Sequence, residues 1–245
     1  MKSCTPLVIL TSLVATACTS TSPVAPDATA SRSAITAGVT TASGVNRRTN
    51  GDATLPLAAP TRNSNIVHVP LFIQDANGHP PASPDTLLFE ARQHNPILAP
   101  DGHQITLAEF TAVEGEASVK CLNGGTHATL HLRHLIANGV YTIWNLVFKA
   151  PGFDPTFANL IGLGAIGAPT GTQNAFRASA TGEGDVSAIT APGPLSVFGS
   201  IGACALTDSF EWHLVGAYHI DGQSHGATLG PAGTAVEQFG FMFKR

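Results

Sequence analysis

The sequence predicts an all-β fold, an antiparallel β-sandwich closed by one disulfide. Two observations lead to this expectation. Asn123-Gly124 separates two runs rich in β-branched residues, and Asn-Gly favours a tight hairpin because both residues tolerate a positive φ. The next segment, residues 126–136, alternates apolar and polar residues with the period of a half-buried strand. Short strands separated by Gly- and Pro-containing turns are typical of sandwich domains.

The strand that follows this segment, Val140–Lys149, is apolar on both faces. Such a strand belongs in the centre of a sheet, because both of its faces are covered there. A second turn signal, Ala137-Asn138-Gly139, precedes it. We therefore expect residues 118–122, 126–136 and 140–149 to form a three-stranded meander.

The rest of the domain also has the character of short strands. The predicted strands are Ile66–Ile73, Asn174–Thr181, Val186–Thr190, Phe210–Ile220 and Val236–Phe243. The Gly- and Pro-rich stretch Pro151–Thr172 has no sustained period, which predicts a long surface loop. A short helix is expected near Pro84–Arg92.

Residues 1–17 have the pattern of a cleavable bacterial signal peptide. Lys2 supplies the positive start, and the apolar run over residues 6–15 is too short to span a bilayer, which needs about 20 apolar residues. Ala15-Thr16-Ala17 suits a cleavage site, and ordinary cleavage would release a soluble periplasmic or secreted protein. The same residues followed by Cys18 resemble the lipobox of bacterial lipoproteins. This resemblance implies that Cys18 carries a lipid anchor in the membrane.

The number of cysteines favours the lipid anchor. Cys4 leaves with the signal peptide, and lipidation of Cys18 leaves Cys121 and Cys204 as a pair for one disulfide. Without lipidation, one thiol has no partner. The disulfide would close a long loop, which the chain-entropy model values at roughly 4 kcal/mol; two separate buried thiols are the alternative. Thr19 is not Asp, so the resemblance to lipoproteins implies retention at an outer membrane.

The segment after Cys18 differs from the rest of the chain in composition. Residues 18–63 are rich in Ser, Thr, Ala and Pro and have no aromatic residue, so they predict a disordered tether. Residues 64–245 are long enough for one domain with a substantial core. All ten histidines lie there, and acidic residues outnumber basic ones. This charge balance argues against nucleic acid as a partner, because such binding needs a positive surface.

Two short motifs resemble known sites without their context. Gly162-Leu-Gly164-Ala-Ile-Gly167 matches the glycine pattern of nucleotide-binding turns, but Pro169 and Gly171 prevent the helix that must follow. Gly199-Ser200 resembles part of a nucleophile elbow, but Phe198 occupies the position of its first glycine. We expect the first segment to be a flexible loop, and the second lacks the strand–turn–helix context of a nucleophile elbow.

The histidines offer one candidate metal site. In His219-Ile-Asp221-Gly-Gln-Ser-His225, the Asp-Gly turn folds the chain back, so the two histidines can meet, with Asp221 or His213 nearby. Imidazole and carboxylate ligands suit zinc or copper. The alternative is a polar strand end with hydrogen-bonded histidines. His127 and His131 lie about 13 Å apart on an extended strand and cannot share an ion.

Four aromatic residues could form a carbohydrate platform. They are Tyr141, Trp144, Trp212 and Tyr218. The two tryptophans lie within apolar strands, which favours core packing instead.

Three segments carry a second resemblance. They are GTHATLHLRHLIANGVYTIWNLVF from Gly125, HIDGQSHGATLGP from His219 and EQFGFMF from Glu237. These segments are similar to those of a group of secreted bacterial proteins with no assigned function, and the likeness spans most of residues 105–243. The resemblance implies a secreted β domain and transfers no catalytic residue.

The sequence as a whole predicts a non-enzymatic lipoprotein of the cell envelope. Its β-sandwich head would bind an unidentified protein partner or small-molecule ligand. Two alternatives stay open. One is a copper- or zinc-binding envelope protein that uses His219 and His225, and the other is a hydrolase with its site under the 151–172 loop.

Overall fold

Strands build almost all of the regular structure that can be described. The computed structural model describes residues 61–63, 66–67, 72–122, 125–191 and 211–244. The strands are β1 (Thr61–Asn63), β2 (Ile66–Val67), β3 (Ile73–Gln74), β4 (Phe89–Glu90), β5 (Glu114–Leu122), β6 (Gly125–Arg133), β7 (Val140–Phe148), β8 (Leu160–Ala165), β9 (Ala175–Arg177), β10 (Gly184–Thr190), β11 (Glu211–His219) and β12 (Ala235–Lys244), and the helix α1 is Leu107–Thr111. All strand pairs are antiparallel, so the predicted all-β antiparallel class is confirmed.

One sheet has four strands in the order β1-β5-β6-β10. Strands β5 and β6 pair as the hairpin signal predicts, with Leu122 opposite Gly125. The two turn residues between them lie outside the described ranges. Along β6 the side chains alternate as expected: Leu130 and Leu132 are buried, whereas His131 and Arg133 are exposed.

The other large sheet has the order β2-β12-β11-β7-β8, and β9 also pairs with β7. Strand β7 is buried along its whole length, with β11 on one side and β8 and β9 on the other. The predicted central position of Val140–Lys149 is therefore confirmed. Strand β11, which lies between β7 and β12, is buried throughout as well, because both of its faces contribute to hydrophobic clusters.

Both large sheets contribute to one hydrophobic core. Its members include Val119, Leu130 and Val186 from the four-stranded sheet, and Ile143, Leu214 and Phe241 from the six-stranded sheet. We call the face of the six-stranded sheet that carries the last three residues its inner face. The opposite or outer face carries a second, smaller cluster that includes Trp144, Leu146, Phe148 and Val215.

The predicted three-stranded meander is wrong at its last step. Strand β6 pairs with β5 and β10, whereas β7 belongs to the other sheet. The chain crosses between the sheets over residues 134–139, where His134 and Asn138 have positive φ and Leu135 and Ile136 are buried. A local turn pattern marks where the chain bends, but it does not determine which sheet receives the next strand.

The predicted loop Pro151–Thr172 contains a strand. Strand β8 pairs with β7, with Leu163 opposite Leu146 and Ala165 opposite Trp144. Gly162 and Gly164 lie within β8, and glycine removes the side-chain alternation by which a strand is recognised. The strand forms because the buried edge of β7 offers it backbone partners.

The predicted helix near Pro84–Arg92 is also wrong. Part of that segment is β4, which pairs with β3. The described helix, α1, begins after Thr106, whose side chain accepts a hydrogen bond from the Glu109 backbone while the Glu109 carboxylate accepts one from the Thr106 backbone. This capping box stabilises a helix start at a place where the sequence shows little helical periodicity.

The remaining strand predictions differ from the structure mainly in their ends. Predicted strand Ile66–Ile73 is divided between β2 and β3, and the other four correspond to β9, β10, β11 and β12. Strand β1 includes the last three residues of the predicted tether and pairs with β5. All described residues fall in one compact unit, residues 51–245. No helix among them is long and apolar enough to cross a bilayer.

Several predicted features lie outside the described residues. They are the signal peptide, Cys18, the tether up to residue 60, and Cys204. Cys121 lies near the end of β5 and is only 4% exposed. The disulfide between Cys121 and Cys204 therefore stays a prediction.

Candidate metal site

The outer face of the six-stranded sheet positions the first histidine of the candidate site. His219 is the last residue of β11 and is fully buried. On the neighbouring strand β7, Thr142 lies opposite Ala217. The Thr142 hydroxyl is 2.8 Å from His219 Nε2, and it accepts a 2.7 Å hydrogen bond from the Trp144 indole nitrogen. This chain of hydrogen bonds fixes the orientation of the His219 ring.

The other ring nitrogen of His219 has no hydrogen-bond partner. His219 Nδ1 is buried and unpartnered. When Nε2 carries the ring proton, it donates to Thr142, and Nδ1 presents a free lone pair. A proton on Nδ1 would instead leave a buried N–H without an acceptor, which costs about 1–3 kcal/mol. The Nε2–H form is therefore favoured, and it is the form that can bind a metal through Nδ1.

The turn after β11 brings the other two candidate ligands back to His219. Gly222, with a φ of 70°, donates from its backbone to the His219 carbonyl at 3.1 Å. A backbone bridge between His225 and Thr228 then returns the chain. The rings of His219 and His225 lie 5.7 Å apart between centroids. The sequence prediction that the Asp-Gly turn brings the two histidines together is therefore confirmed.

Close packing holds His225 in place. A Cβ atom at Gly230 would lie 2.2 Å from His225 Cδ2, so only glycine fits against this ring. The Asn174 amide donates to the Gly226 carbonyl at 3.4 Å, which ties the turn to the segment before β9. His225 Nε2 and Asp221 Oδ2 are 2.8 Å apart.

Three residues of this region can together hold a metal ion. One ligand atom from each of His219, Asp221 and His225 lies within 4.8 Å of the other two. Among the described residues this is the only group of three or more His, Cys, Asp or Glu with that property. The side chains of His225 and Asp221 are 23% and 25% exposed, so an ion can reach the site from solvent.

Burial sets the protonation state of His219. Desolvation lowers its pKa from 6.5 to about 4; the Asp221 charge opposes this shift and the nearby His225 adds to it. The imidazole is therefore neutral at pH 7, as a metal ligand must be.

The structure does not bring His213 to this group. His213 is six residues before His219 on the same strand, which corresponds to about 20 Å. Its Nε2 is 2.8 Å from Glu211 Oε1, and its ring lies 5.0 Å from Phe148 and 5.8 Å from Phe153. Burial lowers the pKa of His213, although the hydrogen bond to Glu211 opposes this shift. His213 is a buried structural histidine, and its prediction as a ligand is wrong.

The other histidines and aromatic residues considered in the sequence have structural roles. His127 Nε2 is 2.9 Å from Ser187 Oγ and His131 Nδ1 is 2.6 Å from Asp185 Oδ1, so the two histidines bond to different residues of strand β10. The four aromatic residues of the considered carbohydrate platform are all buried. Their role in core packing is confirmed.

A cavity does lie beneath the 151–172 segment, where the hydrolase alternative would have its site. Its lining is mainly apolar, and neither a serine nor a histidine is among the described residues that form it. Nothing in this cavity supports a hydrolase.

The sequence predicted the three ligands of the site but not the residues that orient them. Thr142 and Trp144 orient His219 from a different strand, and no local pattern connects them to it. No protein-family model matches the chain, and no curated protein or solved structure is significantly similar to it. A function must therefore be inferred from the site itself.

Proposed function

We propose that this chain is an exported, lipid-anchored protein whose β-sandwich head binds zinc or copper through His219, Asp221 and His225. The observation that carries the proposal is the buried and unpartnered ring nitrogen Nδ1 of His219, a residue that belongs to a group of three converging ligand side chains. A metal ion would use that lone pair, which has no other partner among the described residues.

The metal-binding interpretation explains more than the hydrogen-bonding alternative. Hydrogen bonds alone account for His225 and Asp221, which bond to each other. They do not account for His219, whose ring is oriented by Thr142 on one side and left without a partner on the other. Metal-binding histidines commonly have this arrangement, in which one nitrogen binds the ion and the other donates to a fixed acceptor.

The donor set narrows the choice of ion. Two imidazole nitrogens and one carboxylate oxygen suit zinc or copper better than calcium or magnesium, which prefer oxygen ligands alone. Three protein ligands leave the fourth tetrahedral position of zinc to solvent or to an exchangeable ligand. The proposed role is metal binding without catalysis.

The location and covalent state of the protein are part of the proposal. In this proposal, a signal peptide, a lipid on Cys18 and the tether would hold the head outside the cytoplasm, anchored at an outer membrane. There a disulfide between Cys121 and Cys204 would close the domain. The buried position of Cys121 and the two sheets that share one core are consistent with a disulfide-closed sandwich.

The test is zinc and copper binding by the purified mature protein, measured by isothermal titration after removal of metal with EDTA. We expect one ion per chain, and we expect His219→Ala and His225→Ala each to weaken binding by more than about 100-fold. Thr142→Val, which removes only the group that orients His219, should weaken it by roughly 10–100-fold.

A matched control is His131→Ala. His131 is also hydrogen-bonded to an aspartate, but that pair is exposed and belongs to no group of three possible ligands among the described residues. Its loss should leave metal affinity unchanged. Equal binding by the wild type and both site variants would refute the metal site, and so would equal losses in all three histidine variants.

A further inference from the structure

A cavity of about 250 Å³ lies on the outer face of the six-stranded sheet, apart from the three candidate metal ligands. Strands β7, β8, β11 and β12 contribute to its lining, together with Phe72, Arg92, Phe157 and Leu229 from outside these strands. The lining is almost entirely apolar, with one carboxyl group and one guanidinium group. Its volume exceeds the roughly 150 Å³ of an apolar cavity that binds benzene, and it approaches the 300 Å³ or so of ordinary ligand pockets.

The carboxyl group in this cavity belongs to Glu237. Glu237 lies on β12 opposite Ala217, which also lines the cavity. No described residue forms a hydrogen bond or an ion pair with its side chain, which is partly buried and contributes to the lining of the cavity. The neighbouring Gly240 has no side chain, and a Cβ there would come within 3.7 Å of Glu237 Oε1. The absence of that side chain leaves room beside the carboxyl group.

The guanidinium group belongs to Arg92 and is already paired. Arg92 Nε is 2.9 Å from Glu90 Oε1, and Arg92 Nη2 donates to the Ala235 carbonyl at 3.4 Å. The Glu90 carboxylate is buried and also accepts from the backbone of Arg92 and Gln93. The charge of Arg92 is therefore neutralised by Glu90. Of the two ionisable side chains among the described lining residues, only Glu237 has no partner.

The lack of a partner has a measurable electrostatic consequence. Desolvation alone raises the pKa of Glu237 from 4.5 to about 8. A carboxyl that is partly removed from water and has no hydrogen-bond partner in the protein is destabilising, and such groups are concentrated at functional sites. A cation placed beside the carboxyl group would compensate for the lost hydration.

We propose that this cavity binds a small organic amine, whose ammonium group pairs with Glu237 and whose alkyl or aryl body occupies the apolar lining. The Trp144 indole also lines the cavity, and an aromatic ring adds cation–π attraction for an ammonium group. The apolar lining selects against strongly hydrated cations, because those would have to lose their water on entry.

Binding of an amine at Glu237 should depend on pH, because the carboxyl group must lose its proton to form the ion pair. In the empty protein at pH 7, Glu237 is largely protonated, whereas an alkylamine is cationic. Formation of the ion pair must therefore release a proton from Glu237. Amine affinity is expected to rise with pH by up to about tenfold per unit and to level off near pH 8. The other charged group of the lining, Arg92, keeps its charge over this range.

The experiment compares three probes of equal chain length, hexylamine, 1-hexanol and hexanoate, by isothermal titration against the mature protein. EDTA is present throughout, so that an amine bound to a metal ion cannot imitate the result. We expect hexylamine to bind at least about tenfold more tightly than the other two probes. Equal affinities for hexylamine and hexanol would refute the role of Glu237, and tighter binding of hexanoate would reverse the proposed charge preference.

Two variants locate the binding site. Glu237→Gln keeps the size of the side chain and should lower hexylamine affinity by about tenfold or more, with hexanol binding unchanged. Leu229→Trp adds bulk at a partly exposed lining position and should weaken both probes. If hexylamine binds both variants as it binds the wild type, the cavity is not its site. Thermal melting curves of both variants confirm that they are folded.

Discussion

The two faces of the six-stranded sheet differ in how well their polar groups are satisfied. On the inner face the Tyr141 hydroxyl accepts from the Ile136 backbone and donates to Gln238, whose amide in turn donates to the Phe110 carbonyl. The Trp212 indole donates to Asn145 at 3.2 Å. Each of these buried polar groups has a partner, as expected of a face whose role is to hold two sheets together.

On the outer face, His219 and Glu237 each have a polar group without a partner among the described residues. His219 Nδ1 is unbonded, and the Glu237 carboxyl stands alone in an apolar cavity. The same strands, β7, β11 and β12, supply both faces, so strand propensity does not explain the difference. The comparison teaches that the inner face is built for stability, whereas the outer face keeps unsatisfied groups that a ligand can complete.

The largest expected difference between the faces comes from a matched pair of leucines. Leu214 on the inner face is fully buried, whereas Leu163 on the outer face is partly buried and lines the cavity. Leu214→Ala should lower the free energy of unfolding by about 3–5 kcal/mol. Leu163→Ala should cost about 1–2 kcal/mol, because it deletes less buried surface. Urea unfolding curves measure both, and equal losses would contradict the distinction between the faces.

A matched pair of glycines gives the next largest effect. A Cβ at Gly216 would lie 2.0 Å from the Phe239 ring on the inner face, whereas one at Gly240 would be 3.6 Å from Val215 on the outer face. Gly216→Ala should destabilise the protein by about 1–3 kcal/mol through overpacking. Gly240→Ala makes only ordinary contacts and should change stability by less than about 0.5 kcal/mol. Thermal unfolding of both variants tests this, and a larger loss for Gly240→Ala would refute the packing described.

The smallest effect concerns the pH dependence of stability. Because the pKa of Glu237 is raised from 4.5 to about 8 on folding, the folded state binds more protons than the unfolded state between these values. Stability contributed by the protonated carboxyl is therefore lost as the pH rises, by about 1 kcal/mol from pH 6 to pH 7. Glu237→Gln should remove this decrease. Unfolding curves of both proteins at the two pH values check the sign, and parallel pH profiles would contradict it.

The sequence predicts local structure better than the arrangement of strands. The alternation along residues 126–136 and the apolar run of 140–149 give strands in nearly the right places, because side-chain period and burial are local properties. The prediction of a three-stranded meander was wrong because residues 134–139 cross from one sheet to the other. Strand β8 was not predicted because its glycines interrupt the side-chain alternation. Its stability comes from pairing with β7, which is not a local property of the sequence.

The candidate sites divide in the same way. The proximity of His219 and His225 follows from an Asp-Gly turn, which a sequence can display. The prediction of His213 as a ligand was wrong because six residues along an extended strand separate it from His219 by about 20 Å. Thr142 lies on a different strand from His219, so no local pattern connects the two residues. Nothing in the sequence around Glu237 distinguishes it from an ordinary surface glutamate.

The sequence by itself determined the all-β class, most of the long strand-forming segments and the turn that brings two histidines together. Each of these depends on residues that are close in the chain. Only the tertiary structure decided that His219 has one oriented and one free nitrogen, and that Glu237 faces an apolar cavity without a partner. The physical reason is that solvation and hydrogen bonding of a buried group depend on the strands packed around it, and these strands come from distant parts of the chain.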